Sequence, residues 1–474
     1  MLKRLRRKKL ILMAGDFLLI ITAFYLSYAI RYGEFVNVIY HGSGGLALSL
    51  LTFLFLFYIA EVYSFEGKLY RFRYLVKLII AIVIANTLIA FLLYFFYPFR
   101  GSRIDFILNY FIIFSLLFLW RYFFELFFKY SKVQSRVFIV GAGKAGKEVY
   151  EDLCKFEYFK VMGFLDDDEK KKGLIIGSAK VVGDTSMLAS LAENDSVDTV
   201  VVAITHSSSP ILLTRIMNIK FNGVDTYDMP TFYGHIAGKV PILHINDSWL
   251  GYADFYGIRK NVYNTKVKMV IDKVLSVFGI IVFLPLAVVV AIAIKATSRG
   301  PVFFSQERVS INAKTFKIVK FRTMECGQEK ERNLAGSKVD PRITDVGRIL
   351  RFFRIDEIPQ LWNVLKGDMS IIGPRSLIKE EVEEFTSKVP YFFLRHSIRP
   401  GITGWAQVNY KHGVCVEDSI EKLQYDLFYI KNLSITLDFH IFLKTVKAVL
   451  FGRGARQNRF KPPFKIVLWY TVFN

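Results

Sequence analysis

Four apolar stretches fill the first 130 residues, at roughly 10–30, 46–63, 75–97 and 104–128. Each comes near the roughly 20 residues that a helix needs to cross a hydrocarbon layer. Lipid leaves such a chain only helices or a closed barrel, because backbone polar groups must be satisfied internally. An N-terminal four-helix transmembrane bundle over residues 1–130 is the first expectation. The opening MLKRLRRKK before an apolar run resembles a signal peptide. The run is too long for one, lacks a small-residue cleavage site, and is followed by three more. Lys and Arg crowd the N-terminus, the loop with Lys68, Arg71, Arg73 and Lys77, and the stretch with Lys129, Lys132 and Arg136. The other loops hold only Arg31, and Arg100 with Arg103. The positive-inside rule then puts the N-terminus inside, takes the chain across four times, and leaves everything from residue 135 in the cytoplasm. Asp16 lies inside the first stretch, facing the bundle interior or marking the inner boundary; the second reading is preferred.

Composition agrees. Hydrophobic residues make up 53% and mean hydropathy is +0.33, too apolar for an ordinary soluble protein. The net charge of +22 suits nucleic acid, or anionic headgroups and phosphorylated substrates. The basic opening against an apolar run favours membrane lipids, and no nucleic acid partner is expected. Cys154, Cys326 and Cys415 are scattered without CxxC spacing, so a zinc site or disulfide framework is not expected.

From residue 131 to 260 the pattern becomes soluble α/β. RVFIV reads as a buried strand, GAGKAG as a turn and KEVYEDLCKF as a helix, which sets Gly141, Gly143 and Gly146 in strand–turn–helix context. VMGFLDDD, VDTVVVAIT and GVDTYDMP complete a small parallel, Rossmann-like sheet. The turn either holds a nucleotide or sugar nucleotide, or is a scaffold that binds nothing. Tyr256 and Lys260 spell YxxxK but fall outside the sheet, so the spacing reads as chance.

Residues 274–294 carry no charge and are long enough for a fifth span. Pro285 sits near the middle, where it removes a hydrogen bond and kinks a helix. Lys268, Asp272 and Lys273 flank one end, and Lys295 and Arg299 the other. Positive charge at both ends suggests a re-entrant helix, about 268–296, with an ordinary kinked span equally open on topology alone; a site that must act at the inner membrane surface favours the first.

Two adjacent carboxylates follow, Asp356 and Glu357 in RFFRIDEIPQLWNVLKGDMSIIGPRS, with Arg348, Arg351, Arg354 and Arg375 around them. A preceding hairpin-like stretch carries Arg308, Lys314, Lys317, Lys320 and Arg322, and Arg395 and Arg399 come later. The plain reading makes Asp356 the N-cap of EIPQLWNVLK. The chemical reading keeps Asp356 ionised at a helix N-terminus among arginines, as a nucleophile or magnesium ligand.

Residues 265–450 resemble the bacterial sugar transferases, the polyprenyl-phosphate hexose-1-phosphate transferases. The strings that carry the resemblance are GPVFFSQERV, FKIVKFRTM, the Asp-Glu pair with LWNVLKGDMSIIGPR, and RPGITGWAQVN. The resemblance implies a monotopic α/β catalytic domain, residues 261–474, with a re-entrant helix broken at Pro285. It also implies a catalytic dyad, Asp356 and Glu357, with Mg²⁺ on Asp356. The implied reaction moves sugar-1-phosphate from a UDP-sugar to undecaprenyl phosphate and releases UMP, through a phosphosugar on Asp356. Arg322, Arg351, Arg375, Lys320 and Arg399 are the expected phosphate-binding cations. The chain departs from the family pattern at Leu284 before Pro285, at Lys268–Met269, and at Ser376. The tail after Gly454 is basic and aromatic and has no counterpart in the family. The layout suggests a homodimer that initiates exopolysaccharide, capsule or O-antigen synthesis with glucose or galactose. The rival classes are an NAD-dependent sugar-nucleotide dehydratase or epimerase, and a non-enzymatic assembly protein.

Overall fold

The structure is a computed structural model that describes residues 2–33, 38–60, 62–63, 72–96, 103–129, 134–156, 159–194, 196–204, 209–245, 247–259, 262–325, 342–410 and 415–450. The basic loop with Lys68 and Arg71, Lys260, Cys326 and the tail after Gly454 lie outside them. Two compact units are present, one ending at Ser135 and one beginning at Arg136.

The first unit is four helices: α1 (Leu2–Tyr32), α2 (Val38–Ile59), α3 (Phe72–Phe96) and α4 (Arg103–Lys129). Lys9–Ser27, Tyr74–Leu92 and Ile107–Phe127 are long and apolar enough to cross a membrane, and α2 carries a shorter apolar stretch, Leu46–Ile59. Leu12, Phe53, Phe57, Leu78 and Leu117 form the core, while Leu18, Phe91 and Phe111 are exposed on the outside. Helices that are apolar inside and outside suit a lipid surround.

Asp16 corrects the sequence reading. It faces the interior, fully buried, and takes a bidentate pair of hydrogen bonds from Arg121 Nη1 and Nη2, both 2.8 Å. Arg121 Nε donates to Tyr74 Oη at 2.9 Å, and the Tyr74 hydroxyl donates to the Val62 carbonyl at 2.7 Å. Gly15 helps the two helices approach, since a side chain there would collide with the Trp120 ring.

The second unit opens with the Rossmann-like half. Its elements are β1 (Ser135–Val140), α5 (Lys144–Leu153), β2 (Phe159–Leu165), β3 (Ile175–Ile176), β4 (Ala179–Gly183), α6 (Leu188–Glu193), β5 (Thr199–Val202), α7 (Pro210–Phe221), β6 (Asp225–Asp228) and α8 (Met229–Ile236). Strand order is β3-β4-β2-β1-β5-β6, with β2–β4, β1–β5 and β5–β6 parallel and β3–β4 antiparallel. The sequence reading missed β3 and β4, whose short alternating run is weak beside the buried central strands.

A short α9 (Asp247–Tyr252) precedes a π-helical turn, Tyr263–Val267, and then α10 (Lys268–Thr297). After α10 come β7 (Phe303–Val309), β8 (Thr315–Phe321), α11 (Asp345–Phe352), α12 (Gln360–Lys366), β9 (Ser370–Ile372), α13 (Lys379–Lys388), β10 (Gly401–Thr403), α14 (Trp405–Asn409), α15 (Val416–Lys431) and α16 (Ile435–Leu450). β7 and β8 form the expected hairpin, with Phe304 opposite Lys320.

The expected break at Pro285 is not seen: α10 is one helix through it, the proline costing a single backbone hydrogen bond, and it too is long and apolar enough to cross a membrane. Its two ends are gripped by the same half of the unit. Near the start, Asp272 accepts from the Ser370 hydroxyl at 2.7 Å and the Ile371 N–H at 3.1 Å. Lys268 meets Asp438 of α16 at 2.7 Å. Near the end, Val290 and Ile294 pack on Phe321 and Leu350. Between them, the run Ile281–Leu286 is exposed on every face.

The Rossmann-like half docks onto the rest of the unit through α15. Val240 N donates to the Gln424 carbonyl at 3.0 Å, Lys239 pairs with Glu421 at 2.8 Å, and Trp405 Nε1 donates to the Gly238 carbonyl at 2.6 Å.

Candidate active site

Asn363 sets the frame. Its Oδ1 accepts the Val319 N–H at 3.1 Å and its Nδ2 donates to the Lys317 carbonyl at 2.8 Å, which ties α12 to β8. That tie brings the next β8 residue, Lys320, over the 3₁₀ turn Ile355–Glu357. Arg354, just before the turn, is left-handed at φ +58°. An arginine there is strained by about 1–2 kcal/mol, a cost found where function fixes the backbone.

Glu357 is buried and saturated with cations. Its Oε1 takes Lys320 Nζ at 3.1 Å and Arg375 Nη2 at 3.0 Å, with Arg354 Nη1 at 3.9 Å. Burial alone would raise its pKa, but Arg375, Lys320 and Arg354 outweigh that and hold it well below the usual carboxylate range. Burial pulls the Lys320 ammonium down, against the attraction of Glu357.

Asp356 is the opposite case. It is buried, and its Oδ1 has no hydrogen-bond partner. Burial, and then the Glu357 charge, push its pKa up against Lys320, Arg351 and Arg354. Two expectations are corrected. Asp356 is not an N-cap, because α12 begins at Gln360 after Pro359 and has no side-chain cap. Nor is Asp356 held ionised by helix N–H groups; it stands in a 3₁₀ turn that the long DEIPQLWNVLK string concealed. Gly367, at φ +91°, ends α12 as read.

The expected cations divide. Lys320 and Arg375 touch the dyad. Arg351 acts on Asp356 through charge while its Nε binds the Thr323 hydroxyl at 2.8 Å. Arg322 is turned away. It donates to the Arg299 carbonyl at 2.8 Å and the Ser298 carbonyl at 3.0 Å, and so closes the end of α10. Arg399 is half-buried, just before β10. Arg354 was missed as a site residue, although its place two residues before the acid pair was the available signal.

An unpartnered buried carboxylate oxygen suits Mg²⁺, a hard cation usually held by one or two carboxylates together with substrate phosphates. Among the described residues, no three His, Cys, Asp or Glu side chains gather around a metal position. Asp356 would therefore share such an ion with the substrate.

The glycine turn is built as expected. Gly141 has φ +104°, and a side chain at Gly146 would fall 1.9 Å from the Gly141 carbonyl. Asp166 occupies this turn, accepting the Ala142 N–H at 2.7 Å and pairing with Lys171 at 3.0 Å. Tyr256 is exposed and lies outside the sheet.

Comparison with known proteins fits this site. The bacterial sugar transferase family matches residues 263–452, and a CoA-binding domain family matches residues 58–230. An undecaprenyl-phosphate glucose-1-phosphate transferase of Caulobacter vibrioides that uses UDP-glucose, by its name, is 39% identical over 185 residues, 39% of this chain and 69% of that protein. The uncharacterized sugar transferase EpsL of Bacillus subtilis is 42% identical over 158 residues, 33% of this chain and 74% of that protein. The chain belongs to the bacterial sugar transferase family. An N-acetylgalactosaminephosphotransferase of Aeromonas hydrophila, named for UDP-N-acetylgalactosamine and undecaprenyl phosphate, is 38% identical over 233 residues, 49% of this chain and 54% of that protein. The chain thus spans about half the length of that relative. The sugar transferase match contains the dyad, Lys320, Arg375 and all of α10.

Proposed function

We propose that this sugar transferase moves a sugar-1-phosphate from a UDP-sugar to undecaprenyl phosphate at the cytoplasmic face of the bacterial inner membrane, releasing UMP. The observation that carries the reading is the contrast inside the dyad: one carboxylate saturated by cations, its neighbour buried with a bare oxygen. Asp356 Oδ1, ionised, attacks the phosphorus that bears the sugar. The bond from that phosphorus to the bridging oxygen breaks, and UMP departs with the electron pair. An oxygen of the lipid phosphate then attacks the same phosphorus. The Asp356–phosphorus bond breaks, which restores the carboxylate and yields a lipid-linked diphosphate sugar.

Glu357 holds Lys320, Arg375 and Arg354 in one cluster, fixed before the substrate arrives, beside the charge that develops on the transferring group. Mg²⁺ on Asp356, when bound, would offset charge on the diphosphate.

The lipid acceptor requires the site to sit at the membrane surface. α10 is read as re-entrant: one folded half grips both of its ends, while Ile281–Leu286 is left bare for lipid. The glycine turn is read as a scaffold, because Asp166 already takes its Ala142 N–H.

The test is full-length protein in nanodiscs with undecaprenyl phosphate and a panel of UDP-sugars, read by UMP release and by lipid-linked radiolabelled sugar. UMP release beyond one equivalent of enzyme, which needs the lipid to clear Asp356, is expected with one sugar of the panel. No release with any of them defeats the reaction.

A further inference from the structure

Arg375 reaches Glu357 from a turn that needs its own support. Its backbone is bridged on one side to Gly401, whose N–H donates to the Pro374 carbonyl at 2.8 Å. On the other side, Arg395 Nη2 donates to the Arg375 carbonyl at 3.0 Å. Arg395 belongs to the 3₁₀ turn Phe392–Ser397, and its guanidinium carbon lies over the Phe392 ring, 5.1 Å from the centroid. The same Nη2 sits 2.9 Å from Asp426 Oδ2 of α15. Arg395 is 5% exposed and Asp426 2%.

Stability does not explain this pair. Replacing a buried ion pair by well-packed apolar residues is often neutral or stabilising. This pair is also imperfectly satisfied: the Arg395 Nε has no acceptor, and the approach to Asp426 Oδ2 is out of line for a hydrogen bond. Burial pushes the Asp426 carboxyl up to about 6, with Arg395 and Lys422 opposing it. The pair's useful contact is the one Arg395 makes with the Arg375 main chain.

We propose that Asp426 and Arg395 are a positioning pair for the transfer reaction: Asp426 holds Arg395, and Arg395 fixes the Arg375 turn so that the Arg375 guanidinium meets Glu357. Neither residue touches the reacting atoms. The proposal rests on the phosphoryl-transfer reading of the dyad, and it is tested in a way that separates the two.

Three variants of the full-length protein decide it: Asp426→Asn, Asp426→Leu with Arg395→Met, and Asp426→Asn on Arg375→Ala. The first readout needs no turnover. Hydrogen exchange of the peptide covering 373–376 should quicken about tenfold in Asp426→Asn, while the β7–β8 peptide is unchanged. Unchanged exchange at 373–376 overturns the positioning even if the reaction stands. The second readout is kinetic. Asp426→Asn should lower kcat about 30-fold with the UDP-sugar KM within about twofold, the mark of an interaction made in the transition state. The apolar double variant removes the risk of misfolding; it should unfold near the wild-type midpoint and lose activity equally. On the Arg375→Ala background, Asp426→Asn should cost less than about threefold more, because the effect passes through Arg375. Wild-type kcat in either of the first two variants, or a full additional 30-fold loss on Arg375→Ala, refutes the pair.

Discussion

Two of the buried acid–arginine clusters among the described residues, Asp16 with Arg121 in the first unit and the acid pair with Arg375 in the second, invite comparison. In the helical bundle, both oxygens of Asp16 are filled by Arg121, and Arg121 is further satisfied by Tyr74. In the second unit, Glu357 Oε1 takes both Lys320 and Arg375 while Asp356 beside it keeps a bare oxygen. The ingredients match, and the difference is completeness. A closed cluster has nothing left to offer a ligand and acts by fixing helices; an open one retains a group for chemistry.

The largest effect should come from the open oxygen. Asp356→Asn keeps the shape but removes the proposed nucleophile, so lipid-linked product should fall by about 10⁴-fold or more. Radiolabelled UDP-sugar measures it, and turnover near wild type would mean the bare oxygen is incidental. The closed cluster should break differently. Arg121→Leu strands a buried carboxylate and should destabilise the bundle by about 3–5 kcal/mol, whereas Asp16→Leu combined with Arg121→Met should come close to neutral. Thermal unfolding in detergent separates the two, and a double variant as unstable as the single one would show that the pair does more than compensate itself.

Glu357→Gln sharpens the contrast within the dyad. It releases the cations, and turnover should fall about 10²-fold. It also removes the like charge that helps raise Asp356 and leaves Lys320, Arg351 and Arg354 lowering it. Asp356 must be ionised to attack, so the acid limb of the pH–rate profile should move to lower pH in Glu357→Gln. A limb that stays put, or that rises, would mean the titrating group is not Asp356.

Much of this was legible in the sequence, for reasons that differ by region. The bundle helices and α10 follow from apolar length, and the β7–β8 hairpin and the glycine turn from local pattern. The acid pair stood out by its run of arginines. What stayed hidden depended on partners distant in sequence. Asp16 reads as a boundary residue until Arg121, 105 positions away, is brought against it. Arg322 and Arg375 look alike in the sequence, yet the first caps α10 and the second reaches Glu357. Asp356 reads as a cap because nothing local shows that α12 starts only at Gln360.

The smallest effect tests the same rule on a third carboxylate. Asp166 fills the glycine turn, binding the Ala142 and Asp168 N–H groups and Lys171. Burial works against its charge, but these contacts hold its pKa below the usual range. By the reasoning applied to Asp16, a turn whose N–H is taken by a carboxylate of the same protein serves structure. Asp166→Ala should therefore cost about 1–2 kcal/mol of stability, the loss of hydrogen bonds to a charged group, and leave turnover within about twofold. If the turn instead receives a nucleotide, removing the carboxylate should change UDP-sugar KM or open a nucleotide site visible by calorimetry. Either result would separate closure by a side chain from closure awaiting a ligand, and the second would show that completeness alone does not mark the working site.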